Sequence, residues 1–210
     1  MALLSSQPVR PSPVRHFALQ ILDSAIKRSF YNNVEAFEQT KILLLGFLDP
    51  SPSQQYIRLQ DETPYVQNQA ARSLTLLFVL SYTTTWPTFF DDCLSLIQKP
   101  TPSSPRRLPF SPFQTHIFLR VLSMIDEEVA DALYTSTKKQ GDQRLNAEVK
   151  DRIRVFDVRK ITELLSRVMT VFDNDEENKE LVRQSLQVVG QWIGIFPPCT
   201  PFSYAVLIFG

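Results

Sequence analysis

The placement of proline constrains this chain more than any other feature of its sequence, because proline breaks the interior of a helix. The chain holds 15 prolines and only 5 glycines among 210 residues. All of the prolines except Pro87 fall in four short stretches, at residues 8–13, 50–64, 100–112 and 197–201. The long intervals between these stretches can therefore form uninterrupted helices.

Apolar residues within these intervals recur at steps of three and four, which is the period of one face of an α-helix. The clearest example has this spacing throughout: Trp86, Phe89, Phe90, Cys93, Leu94 and Ile97. No segment alternates convincingly with a period of two, so the sequence predicts no β-sheet. The pattern predicts an all-α protein.

Helical hairpins are predicted to begin near residues 14, 64 and 113, which are separated by 50 and 49 residues. A repeated helical hairpin of about 40–50 residues is typical of HEAT and armadillo solenoids. An irregular helical bundle is the alternative on pattern alone. We therefore predict an all-α, HEAT-like helical-hairpin solenoid, an α-α superhelix that is incomplete at both ends because interior repeats need neighbours.

The expected organisation has three parts. A disordered segment covers residues 1–13, the solenoid covers residues 14–195, and an atypical apolar tail covers residues 196–210. Within the solenoid, we expect residues 135–146 to be polar and flexible and residues 147–172 to form one long helix. Because the solenoid lacks capping repeats and the tail continues no helical pattern, we expect a piece of a longer protein.

The residues that carry catalysis are not grouped in this sequence as catalysis requires. His16 and His116 lie far apart, and Cys93 and Cys199 form no CxxC pair. The chain contains no zinc motif, glycine-rich phosphate loop or nucleophile elbow. We therefore expect no enzyme, catalytic residue, metal or cofactor. The longest apolar runs are too short to cross a bilayer, which predicts no membrane insertion.

Positive charge is concentrated in one part of a chain that is neutral overall, with 22 basic and 22 acidic residues. Residues 138–160 hold eight basic and four acidic side chains, a local net charge of +4. A phosphate-binding stripe is one interpretation of this excess. The solvated face of a long helix is the other and the simpler one.

Five segments, in collinear order, resemble a known family. The most distinctive spans residues 66–97, where LLFV is followed by Tyr82, Trp86 and the pair Phe89-Phe90. The segments read HFALQILDSAIK, VQNQAARSLTLLFVLSYTTTWPTFFDDCLSLI, FLRVLSMIDEEVAD, LNAEVKDRIR and LVRQSLQVVGQWI. Over about residues 14–195 the chain resembles the exportin-T family, the tRNA nuclear export receptors of the importin-β superfamily.

The resemblance implies a superhelix of stacked HEAT repeats that acts as a tRNA nuclear export receptor. Members of the family bind tRNA cooperatively with the GTP form of the small GTPase Ran and contact phenylalanine-glycine nucleoporins in the nuclear pore. It therefore implies Ran-GTP, tRNA and these nucleoporins as partners, and shuttling between nucleus and cytoplasm. Another HEAT-repeat scaffold or transport receptor with a protein cargo is the alternative.

The resemblance also suggests candidate contact residues, because the N-terminal repeats of this superfamily contact Ran. The Ran-binding candidates lie on or next to one predicted helix: Trp86, Phe89, Phe90, Asp91, Asp92 and Lys99. We expect the aromatic members to lie mostly in the core and the charged members to face the GTPase. The tRNA-binding candidates come from the basic stretch: Lys138, Lys139, Arg144, Lys150, Arg152 and Arg154. We expect residues 197–210 to lie outside this resemblance.

Overall fold

The computed structural model describes residues 10–28, 33–49, 59–98, 109–131, 140–173 and 175–195. Within these ranges the backbone forms no β-strand and eight α-helices: α1 (Ser12–Lys27), α2 (Val34–Leu48), α3 (Pro64–Ser81), α4 (Phe89–Ile97), α5 (Pro112–Ile125), α6 (Gln140–Phe156), α7 (Val158–Phe172) and α8 (Lys179–Ile195). Short 3₁₀ turns precede α3 and α8, at Leu59–Asp61 and Glu176–Asn178, and a π-helical turn at Asp126–Asp131 continues α5.

The helices are arranged in two layers. Helices α1, α3, α5 and α8 lie side by side in the first layer, each packed against the next. Helices α2, α4, α6 and α7 pack on this layer, and side-chain contacts join α2 to α4 and α4 to α7. Successive hairpins therefore stack in chain order, as in a HEAT-like solenoid, and the predicted all-α class is confirmed.

Local sequence explains where most of the helices begin. Pro13, Pro64 and Pro112 lie in the first turn of α1, α3 and α5, where the missing amide hydrogen would have no helical partner. The Asn33 side chain caps α2, because its Oδ1 accepts a hydrogen bond from the Ala36 amide at 3.2 Å. The proline clusters therefore contribute the starts of helices as well as the loops before them.

Two expectations about the second half of the chain are wrong. Residues 140–146, expected to be flexible, form the first turns of α6. The single helix expected over residues 147–172 is two helices, α6 and α7, divided at Asp157. The physical reason is tertiary, because the Asp157 side chain turns into the core to meet a distant partner instead of facing solvent.

The predicted boundaries of the solenoid stay predictions. Residues 1–9 of the expected N-terminal segment and all of the expected tail, 196–210, lie outside the described residues, and α1 begins at Ser12. Among the helices that the structure describes, none combines the length and the apolar character that a membrane span requires.

Aromatic side chains join the two layers. The Phe78 ring of α3 lies 4.5 Å from the ring of Phe89 and 5.3 Å from that of Phe90, between ring centroids. Phe90 also meets Trp192 of α8 edge to face at 6.4 Å. All four side chains are almost completely buried. The core therefore runs continuously from the second hairpin to the last helix.

Candidate partner interface

The turn between α3 and α4 is organised around Trp86. The backbone leaves the helix at Tyr82, and the Trp86 amide donates a hydrogen bond back to the Ser81 carbonyl at 2.8 Å. The indole is fully buried and meets Phe37 and Phe89 edge to face. Such contacts add to the stabilisation that comes from burial of the rings. The turn is therefore a structural joint filled by apolar groups.

The aromatic candidates Trp86, Phe89 and Phe90 have no solvent exposure in this structure. The expectation that they lie in the core is confirmed. They present no surface to a partner, so any part they have in binding is to fix the position of α4. Sequence periodicity indicated this role, because the three residues belong to the buried face of one predicted helix.

The acidic candidates lie at the start of α4, and their surroundings differ. Asp92 accepts a hydrogen bond from the Trp86 indole Nε1 at 2.7 Å, and the Lys41 ammonium lies 3.4 Å from the same carboxylate oxygen. Asp91 points away from this turn, with 54% of its side chain exposed, and pairs with Lys160 of α7 at 2.7 Å. Asp91 is thus the more accessible of the two carboxylates, whereas Asp92 is held by Trp86. Lys99 lies outside the described residues.

The division between α6 and α7 forms a second, polar joint. The Asp157 side chain is buried there, accepts a hydrogen bond from the Tyr82 hydroxyl, and pairs with Lys160 at 2.9 Å. Burial, followed by the neighbouring Asp157, raises the pKa of Tyr82 far above its ordinary value, so the hydroxyl stays a donor. Partial burial works against the charge on Lys160, but its pairs with Asp91 and Asp157 outweigh this and raise the pKa of the ammonium group.

The basic candidates do not form one stripe. Lys150 and Arg152 lie two residues apart on α6, which places them about 200° apart around the helix axis. Arg152 is half-buried, with its guanidinium 5.3 Å from the centre of the Tyr82 ring. Arg154 pairs with Asp151 at 3.2 Å, and Arg144 is exposed. Lys138 and Lys139 lie outside the described residues.

Sequence reasoning missed the residues that connect these two regions. In the sequence, Asp157 and Lys160 appear only as two of the charges within residues 138–160, and no pattern singles out Lys41. The partners of Lys160 and Tyr82 lie 69 and 75 residues away in the chain. No local pattern signals contacts at such separations.

Catalytic and metal-binding geometry is not found in the described part of the chain. No group of three or more histidine, cysteine or acidic residues there could hold a metal ion. The Cys93 thiol is buried, and burial, followed by the neighbouring Asp92, raises its pKa well above the ordinary range, which suppresses the reactive thiolate.

Comparisons with known proteins identify the family to which the chain belongs. The chain matches the Exportin 1-like protein family over residues 63–207. The expectation that the tail from Pro197 onward does not match is therefore wrong for residues 197–207. It is 32% identical over 193 residues to Exportin-T of Aspergillus fumigatus and to Exportin-T of Neosartorya fischeri, and 29% identical over 194 residues to Exportin-T of Aspergillus oryzae. Each alignment covers 92% of this chain, and the chain spans 18% of the length of each relative. Because the family match covers more than half of its residues, the chain belongs to the Exportin 1-like protein family.

Proposed function

We propose that this chain is part of a nuclear export receptor that binds tRNA cooperatively with Ran-GTP and carries it through the nuclear pore. The observation that carries this proposal is the alignment of 92% of the chain with proteins named Exportin-T. The stacked helical hairpins support it, because extended surfaces of this kind suit macromolecular ligands. The proposed receptor shuttles between nucleus and cytoplasm, contacts phenylalanine-glycine nucleoporins, and has no enzymatic step or cofactor of its own.

The proposed Ran contact centres on Asp91. Its carboxylate is exposed on α4, and a cationic side chain of the GTPase would compete with Lys160 for it. Asp92 and the aromatic residues Trp86, Phe89 and Phe90 hold α4 in place behind this contact. Lys99 stays part of the proposed site because it lies two residues after the end of α4 in the sequence.

The proposed tRNA contact lies along α6 and the residues before it. Arg144 and Arg154 offer exposed guanidinium groups for phosphate oxygens, and Lys150 offers a half-buried ammonium. Arg152 is restrained by the Tyr82 ring, so its contribution depends on the polar joint. Lys138 and Lys139 are proposed to extend this contact toward the phosphate backbone.

Calorimetric titration with Ran loaded with GTP, and then with GDP, tests the proposal. We expect selective binding of the GTP form and at least a tenfold loss of affinity in Asp91→Lys, because like charges then meet at the interface. Asp173→Lys is the matched control, since it makes the same charge change at an exposed position after α7. A folded chain that binds neither form of Ran would favour a different HEAT-repeat scaffold with a protein cargo.

Salt dependence tests the tRNA contact separately. The logarithm of a phosphate-driven association constant falls linearly with the logarithm of salt concentration, by about 0.7–0.9 per phosphate neutralised. We expect the double variant Arg144→Gln/Arg154→Gln to lower this slope by about two phosphate contacts. A slope equal to that of the wild type would exclude these two residues from the tRNA contact.

A further inference from the structure

A chain of side-chain contacts runs from the exposed start of α4 to the basic residues of α6. Lys160 Nζ lies 2.7 Å from Asp91 Oδ1 and 2.9 Å from Asp157 Oδ1. The other oxygen of Asp157 accepts the hydrogen bond from the Tyr82 hydroxyl, and the Arg152 guanidinium lies over the Tyr82 ring. The first residue of this chain of contacts is a candidate for Ran, and the last is a candidate for tRNA.

Lys160 is shared between two carboxylates in different surroundings. The Asp91 side chain is 54% exposed, whereas the Asp157 side chain is 4% exposed. The electrostatic attraction is stronger at the buried oxygen, because less water screens it there. If a cationic group of a partner pairs with the Asp91 carboxylate, Lys160 keeps only its pair with Asp157, and its ammonium group moves toward that carboxylate.

The backbone at Asp157 is poised to respond to such a movement. Its amide donates to the Ile153 carbonyl at 2.9 Å, and its carbonyl accepts from the Ile161 amide at 3.0 Å, so helical bonding continues on both sides of the division. The Asp157 side chain caps no amide of α7, because it is directed toward Tyr82. The angle between α6 and α7 therefore depends on the side-chain partners of Asp157.

Neighbouring charges are engaged elsewhere. Asp92 is held by the Trp86 indole and by Lys41. Arg159, the residue before Lys160, pairs with Glu163 one turn along the exposed side of α7. Neither group competes for the contacts of Lys160, and Arg159 provides a matched position for a control substitution.

We propose that Lys160 is a positioning residue. When a cationic group of a partner protein pairs with Asp91, Lys160 is released and moves toward Asp157. This movement changes the geometry of the α6–α7 division and the position of Arg152. This inference rests on the proposed function, because it takes Ran-GTP as the partner at Asp91 and tRNA as the ligand near Arg152. The resulting coupling is reciprocal, since each ligand biases the same two-state element.

Amide hydrogen exchange on the ligand-free chain tests the contact route. Lys160→Met removes the cation that Asp91 and Asp157 share. Asp91→Asn removes the ion pair between Asp91 and Lys160 without changing a buried group. We expect amides of residues 150–161 to exchange about three to five times faster in Lys160→Met, because a charge-assisted hydrogen bond of Asp157 is lost. The same amides should exchange more slowly in Asp91→Asn, because Lys160 is then left to Asp157 alone. Arg159→Met should match the wild type, and Lys160→Arg should restore protection. Wild-type exchange in either Lys160→Met or Asp91→Asn would overturn the proposal.

A second measurement separates coupling from a purely structural role. Adding Ran-GTP to the wild-type chain should change exchange at residues 150–161. Lys160→Met should bind Ran-GTP at least as tightly as the wild type, because the cation that competes for Asp91 is gone, and should lose that change. An exchange response that persists in Lys160→Met would overturn the positioning role of this residue.

The proposed receptor function and the proposed contact route through Lys160 can be contradicted separately. If the wild-type chain binds no Ran-GTP, the proposed function fails, and the ligand-free comparison decides the contact route by itself. In that case, slower exchange in Asp91→Asn supports the route, and unchanged or faster exchange overturns it. If Ran-GTP binds and Asp91→Asn still exchanges like the wild type, the coupling is wrong although the receptor function stands.

Discussion

Within the described residues, the α3–α4 turn and the α6–α7 division are stabilised in opposite ways. The turn between α3 and α4 is filled by the buried indole of Trp86 and its aromatic neighbours. The division between α6 and α7 is a single residue, Asp157, whose buried carboxylate is held by Tyr82 and Lys160. An apolar joint has one favourable packing, whereas the energy of a polar joint depends on whether each partner is present and charged.

This difference assigns different roles to the two joints. Packing around Trp86 fixes α4 rigidly, so the acids on α4 are presented in one orientation. The polar joint has one exposed end, at the Asp91–Lys160 pair, and can therefore respond to a ligand.

Truncation of the apolar joint should have the largest effect. Trp86→Ala should lower the free energy of unfolding by about 3–5 kcal/mol, because it leaves a cavity among Phe37, Phe89 and Lys41. Urea denaturation followed by circular dichroism measures this change. Phe17→Ala is the control, since that side chain is 58% exposed, and it should change stability by about 0.5 kcal/mol or less. Similar values for the two variants would contradict the core role of Trp86.

Removal of one partner from the polar joint should have a smaller but clear effect. Tyr82→Phe leaves the buried carboxylate of Asp157 without its hydroxyl donor, and should cost about 1–3 kcal/mol of unfolding free energy. The same denaturation experiment applies, with Tyr65→Phe at a more exposed position as the control. A Tyr82→Phe variant as stable as its control would mean that water or Lys160 satisfies Asp157 alone.

Acidification should weaken a polar contact on α5, where Arg120 Nε donates a hydrogen bond to His116 Nε2 at 3.0 Å and a protonated ring could no longer accept it. Burial, followed by the charge of Arg120, lowers the pKa of His116 below 6.5, the value expected in the unfolded chain. The unfolded state thus binds more protons, so stability present above about pH 6.5 is lost as the pH falls. Denaturation at pH 7.5 and pH 5.5 should show a smaller pH dependence in His116→Gln than in the wild type. An equal dependence would contradict the lowered pKa.

The smallest effect is expected at an exposed ion pair beside the polar joint. Arg159→Ala removes the 2.7 Å pair with Glu163, and we expect no measurable change in the urea midpoint, because both groups are well solvated. The comparison variant is Lys160→Ala, which should lower the midpoint because it leaves Asp157 without its cation. Equal midpoints for the two variants would show that the joint does not depend on Lys160.

The sequence predicted the apolar joint well and the polar joint poorly. Periodicity placed Trp86, Phe89 and Phe90 on one buried face, and the structure confirms this. It also predicted continuous helix across Asp157, because an aspartate among charged residues normally marks a solvated surface. The Asp157 carboxylate is buried only because Tyr82, 75 residues earlier, places a hydroxyl beside it.

For the candidate contact residues too, the sequence predicted one part and only the structure showed the other. The acids of α4 could be selected from the sequence through the family resemblance, but their accessibility could not. Asp91 proves to be the exposed member, whereas Asp92 is held by the Trp86 indole. The net charge of +4 over residues 138–160 suggested a stripe on one helix, whereas the structure places Lys150 and Arg152 on different sides of α6.

By itself, the sequence determined the helical class, the boundaries set by proline and the burial of Trp86, Phe89 and Phe90, because helix propensity and apolar periodicity act over a few neighbouring residues. Only the tertiary structure decided that α6 and α7 divide at Asp157 and that Lys160 links this division to Asp91. Those features depend on which distant side chains meet after the hairpins stack, and the energy of a buried charge is set by the partners it finds there.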